Sequence, residues 1–218
     1  MSALRLAAKD LALEARTREL LDAALLGAVA LAVLAGLSFA AIPEGPERTS
    51  AVLWSGLALA TLLPLARSFT GETDRGTLEV LLLLPTERGH ILLGKVLTNT
   101  LLALTTSMVL LAAYAALFGG ALPALALAPV VGLGALGLGA TGSILAAIAA
   151  QARAREALLP VLLFPLLLPV LLSGVPASIH ALRGDPLGAI AGELALLLGY
   201  DLLMLAAGWL LFETVAEG

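Results

Sequence analysis

Asp74 to Gly89 reads DRGTLEVLLLLPTERG. Its apolar run, Val80 to Leu84, is closed by Pro85 and has charge on both sides. The run is too short to cross a bilayer, which takes about 20 consecutive apolar residues. On either side of it lie segments that are long enough, 51–69 and 91–118. Working outward, four more such segments follow from the sequence, at 21–42, 125–150, 157–174 and 187–212. The expected fold is therefore an all-α polytopic membrane protein with six spans, residues 1–218 forming one transmembrane domain.

Composition supports lipid as the main solvent. The chain is 60% hydrophobic and only 13% charged, against about a quarter charged in soluble domains. There is no cysteine, which excludes disulfides, thiolate metal sites, thiol nucleophiles and covalent heme attachment through a Cys-x-x-Cys-His box. The net charge of −4 says little about partners. The first 20 residues are interrupted by Arg5, Lys9, Asp10, Glu14, Arg16, Arg18 and Glu19 and lack the unbroken apolar core of a signal peptide.

The basic residues set an expected orientation. With the N-terminus in the cytoplasm, Arg5, Lys9, Arg16, Arg18, Arg67, Arg75, Arg88, Lys95, Arg153 and Arg155 fall on the inner side, and only Arg48 and Arg183 fall outside. That asymmetry is the positive-inside pattern, and six spans return the C-terminus to the cytoplasm. The outer loops IPEGPERTS, GGALP and VPASIHALRGDP are short. Residues 1–20 form an expected amphipathic interfacial helix. Leu4, Ala8, Leu11 and Ala15 share a side, with Leu6 and Leu13 near its edge, and Arg5, Lys9, Asp10 and Arg16 favour the other.

Two spans are unusual. Span four holds Gly132, Gly134, Gly137, Gly139 and Gly142, a pattern for close helix packing or for a flexible element. Span five holds Pro160, Pro165 and Pro169, each removing a backbone donor, so it is expected to kink or break. Span six holds the main intramembrane charges, Glu193 and the deeper Asp201 with Tyr200 beside it, which are functional candidates by default.

Enzyme readings are weak. GHILLGKV, Gly89 to Val96, approaches a phosphate-binding loop but has Val96 where a hydroxyl is needed and follows no strand. Ser143 has no G-x-S-x-G elbow, and His180, its potential partner, is expected in an outer loop. His90 and His180 are the only histidines and fall on opposite sides, so no metal site is expected. No catalytic residue and no directly bound cofactor are expected.

In the opening stretch, Thr77 to Leu84 is compatible with a helix after Gly76, ending at Pro85. Leu78, Leu81, Leu82 and Pro85 share a face, rimmed by Glu72, Asp74, Arg75, Glu79, Glu87 and Arg88. A short apolar face with a charged rim suits docking into a protein groove, and its acidic rim suits an anionic leaflet poorly. The stretch ETDRGTLEVLLLLPTERGHILLGKVL resembles the heme exporter protein B family, CcmB, in its G-[ST]-L-E-x-L-x-L-x-P pattern and its Lys95-Val96 pair. The likeness extends to the leader, where Lys9, Asp10, Leu11, Glu14 and Arg16 fit, and to the proline-rich LLPVLLFPLLLPVLL.

The resemblance implies a permease subunit of the ABC-type complex of cytochrome c maturation in the bacterial inner membrane. It implies a separate CcmA-like ATPase that binds ATP, a CcmC-like heme-handling protein, a small single-span CcmD-like subunit and a CcmE-like heme chaperone. Gly76, Thr77, Leu78, Glu79, Leu81, Leu82 and Pro85 would then form a coupling helix seated on the ATPase, with heme as the transported species. His180 is a weak candidate for a transient heme contact. Two copies per complex are expected from symmetry. The alternatives left open by the residues are a permease of another ABC exporter for a lipid, drug or ion, and a scaffold that moves nothing.

Overall fold

The computed structural model describes residues 3–39, 41, 43–74, 88–118, 123–150 and 155–215. These form α1 (Ala3–Thr17), α2 (Glu19–Ser38), α3 (Pro46–Asp74), α4 (Arg88–Phe118), α5 (Ala124–Ala150), α6 (Arg155–Arg183) and, after a 3-10 turn at Leu187–Ile190, α7 (Ala191–Val215). Among the described residues there is no strand. Five helices are long and apolar enough to span a membrane, namely α2, α4, α5, α6 and the 3-10 turn with α7. The expected span at 51–69 lies within α3, which is not among those five. The expected coupling helix, Gly76 to Pro85, lies outside the described residues.

α5 is the centre of the bundle and packs against α3, α4, α6 and α7. Its glycines explain how neighbours come so close. A Cβ on Gly134 would meet Trp54 of α3 at 2.3 Å, and one on Gly142 would meet Leu65 of α3 at 2.5 Å. One on Gly137 would meet Asp201 of α7 at 2.8 Å, and one on Gly139 would lie 2.9 Å from the backbone nitrogen of Thr100 in α4. Close packing is thus the role of this stretch. α2 reaches α3 and α4 by the same means, burying Ala24, Ala28, Ala32 and Gly36 at four-residue spacing.

The proline-rich span does not break. α6 runs from Arg155 to Arg183 without interruption. Leu163, Leu167, Val170, Ala177 and Ala181 make one buried stripe, and Pro165 and Pro169 sit on the exposed face. On that face a lost donor does not disturb an interhelical contact. The helix also continues past the expected end of the span at 174, which places His180 in its last turn and not in a loop. Arg48 is likewise not in a loop: α3 already begins at Pro46.

α1 lies against α4. Its protein-facing edge is Leu6 and Ala7, which are buried against Gly94, whereas Leu4 is 70% exposed. The expected lipid face, Leu4, Ala8, Leu11 and Ala15, stays exposed or half-buried. Arg18, at φ 56°, turns the chain from α1 into α2. Glu14 caps that second helix, its carboxylate accepting from the Leu21 amide at 2.7 Å.

Candidate functional site

Polar groups inside an apolar bundle are costly unless paired, so their placement marks where the chain invests in specificity. They fall into three levels. At the end that carries α1, Lys95 of α4 is buried, and its Nζ lies 2.9 Å from the Asp10 carboxylate of α1. One turn along α4, the Asn99 amide donates to Ser143 of α5 at 2.8 Å, and Ser143 donates to the Gly139 carbonyl at 2.6 Å. Ser143 is therefore a buried bracket between helices. It sits near the C-terminal end of α5, while His180 is near the C-terminal end of the antiparallel α6, so the two are not brought together.

The middle level lies between α5, α6 and α7. Tyr200 donates to the Leu166 carbonyl of α6 at 2.6 Å, and its hydroxyl shares a hydrogen bond of 2.8 Å with Thr141 of α5. Asp201 follows on α7 at 0% exposure, and neither carboxyl oxygen has a hydrogen-bond partner among the described residues. α7 buries only a narrow stripe here, Leu197, Asp201, Met204 and Gly208, and shows most of its remaining apolar surface outward. Asp201 is thus aimed into the bundle where a hydrophobic residue would be ordinary. Glu193 lies in the first turn of α7 and is half-buried.

The opposite end is bound through α3. Trp54 is pressed between Gly134 and Gly174, and its indole donates to Ser178 at 3.1 Å. Ser178 also shares a hydrogen bond of 2.7 Å with Ser50. Arg48 is buried, donates to the Gly36 carbonyl at 2.6 Å and stands 5.3 Å from the centroid of the Phe118 ring. It closes the C-terminal end of α2, where unsatisfied carbonyls attract a cation. Glu47 pairs with Arg183 at the rim. Bonding at the start of α3 and the Arg183 guanidinium hold the Glu47 carboxyl below its usual range. His180 Nδ1 lies 2.7 Å from Asp185. At the α1 end, by contrast, His90 packs edge-on to Trp209 of α7.

Among the described residues, no three His, Asp or Glu side chains gather as a metal-binding group. Sequence reasoning found Asp201 because a carboxylate in a span stands out. It read Lys95 as an inner-side charge and as part of the Lys95-Val96 pair of the resemblance, and it passed over Trp54, Thr141 and the Asp10 partnership. The signal for Trp54 was present as an aromatic ring in a span of small residues facing glycines in two later spans.

A family model described as CcmB protein matches residues 1–212. The chain belongs to the CcmB family. Membership makes it a multi-pass membrane permease component of the ABC-type heme export system of cytochrome c maturation. No curated protein matches the chain. The family match spans all three polar levels and also residues 75–87 between α3 and α4.

Proposed function

We propose that this chain couples ATP hydrolysis on a separate CcmA-like subunit to heme export or to release of a heme-loaded chaperone. The observation that carries the reading is the family match across 1–212, which includes a loop with a short apolar face and an acidic rim. α3 and α4 flank that loop and have 29 and 31 residues. At about 1.5 Å per residue each exceeds a hydrocarbon core of roughly 30 Å, which supports a loop standing clear of lipid. Leu78, Leu81, Leu82 and Pro85 of the coupling helix enter a groove of the ATPase, and Glu79 makes a polar contact at its rim. ATP stays on the partner, and heme is cargo. Two copies face two ATPase subunits in the bacterial inner membrane, with both termini cytoplasmic. CcmC-like, CcmD-like and CcmE-like proteins complete the assembly.

α4 is suited to receive motion from the loop, because it touches α1, α2, α3, α5 and α7. Deleting the gene and staining membrane proteins for covalent heme tests the reading. The expected result is loss of c-type cytochromes, restored by the wild-type chain but not by Leu81→Asp. That variant inserts normally and fails to co-purify the ATPase, because it buries an unpaired charge at the docking face. Normal cytochrome c in the deletion strain would overturn the assignment. A Leu81→Asp chain that keeps its ATPase would overturn the docking face alone.

A further inference from the structure

Asp201 is unused by the function proposed above, yet the bundle is shaped around it. Its carboxyl lies where a Cβ on Gly137 would be 2.8 Å from Oδ1, so α5 gives up a side chain at that level to admit it. A Val170 methyl group and the Tyr200 ring close the same pocket of space. Neither oxygen receives a hydrogen bond among the described residues. An ionised carboxylate in such surroundings needs a donor or a cation, and a neutral carboxyl without partners is penalised far less.

No described group facing Asp201 can supply that charge. α5 has no Asp, Glu, Lys, Arg or His anywhere in Ala124–Ala150. α6 carries charge only at its ends: Arg155 and Glu156 in the first turn, ten or more residues before Leu166, and His180 and Arg183 in the last, where they pair with Asp185 and Glu47. α4 presents His90 at the level of Trp209, and its Lys95 is bridged to Asp10. The 3-10 turn Leu187–Ile190 is uncharged. On α7 itself, Tyr200 turns its hydroxyl to Leu166 and Thr141, and Glu193 is two turns away in the first turn.

We propose that Asp201 is a proton-binding site of the membrane bundle. It holds its proton while α7 lies against Gly137 and releases it when α7 leaves that contact and water reaches the carboxyl. Tyr200 is the positioning residue that pins α7 to α5 and α6 at this level. The proton moves to solvent water and no other bond changes.

The full chain in lipid nanodiscs at neutral pH, studied by infrared spectroscopy, tests this. A carbonyl stretch from a protonated carboxyl is expected, shifting down on transfer to heavy water and lost in Asp201→Asn. Tyr200→Phe, which frees α7 from Thr141 and Leu166 without touching the acid, is expected to keep the band and speed its deuterium shift. If Asp201→Asn does not accumulate, aspartate carrying a ¹³C carboxyl in the wild-type chain identifies the same band by its isotope shift. A wild-type spectrum without the protonated band, with Asp201 ionised at neutral pH, would overturn the proposal. An ionised signal that responds to sodium or potassium would overturn it in favour of a bound cation. Because the readout uses no ATPase and no heme, it stands or falls apart from the coupling function.

Discussion

α5 and α6 lie side by side, and the sequence marks both as irregular, one by glycine and the other by proline. The glycines of α5 point at neighbours: Trp54, Asp201, the Thr100 backbone and Leu65 each occupy the space that a side chain would have taken. Pro165 and Pro169 of α6 point away, and the helix passes through them intact. A residue that breaks a rule of helix composition is therefore interpretable only once its face is known. On a packed face it is a fitting, and on the exposed face it is tolerated.

Trp54→Ala is the most severe way to break this comparison, since the ring fills the space left by one glycine of α5 and one of α6. Loss of a large buried side chain costs about 3–5 kcal/mol, so thermal unfolding in detergent should shift down strongly. An unchanged midpoint would detach Gly134 and Gly174 from the ring. Next comes Gly139→Ala, whose methyl group meets the Thr100 backbone, which cannot swing aside. Overpacking of this kind costs about 1–3 kcal/mol. Gly132→Ala on the same helix meets nothing within 4 Å and should stay within about 0.5 kcal/mol of wild type. Equal effects from the two would refute the facing argument.

Replacing Pro165 and Pro169 together with alanine sharpens the other half of the comparison. Both sites are exposed, so stability should change by about 1 kcal/mol or less. A large loss would mean that the prolines set a bend that packing needs.

The smallest effect is at the end of α6, where Arg183 meets Glu47. The folded state lowers the Glu47 pKa, so its stabilisation is present above the unfolded value and is lost as pH falls through the lowered folded value. Glu47→Gln should therefore match wild type in acid and fall slightly below it at neutral pH. A difference that grows as pH falls would reverse the sign of this contact.

The helical class and the family were legible because they depend on composition and on a local motif. Helix ends were less so. Gly174, Val175 and Pro176 suggest the end of a span, but Gly174 receives Trp54 and Ser178 bonds to α3, so packing carries α6 on to Arg183. Asp201 was visible as a misplaced charge. The Asp10–Lys95 pair was not, because nothing in linear spacing joins a leader residue to one in the third apolar segment. Arg48 was misplaced for a related reason: proline and charge around it suggest a loop, while its guanidinium is spent on the end of α2.

That first pair also bears on how the protein is made. Asp10 leaves the ribosome long before Lys95, and Leu6 before Gly94. Until α4 has entered the membrane, α1 has only the adjoining turn of α2 to rest on. Its row of Leu4, Ala8, Leu11 and Ala15, exposed or half-buried in the folded chain, offers a waiting position on lipid, with Glu14 already closing the turn into α2. Seating of α1 is then a late event in assembly, a clasp that shuts only after the first three long helices are in place.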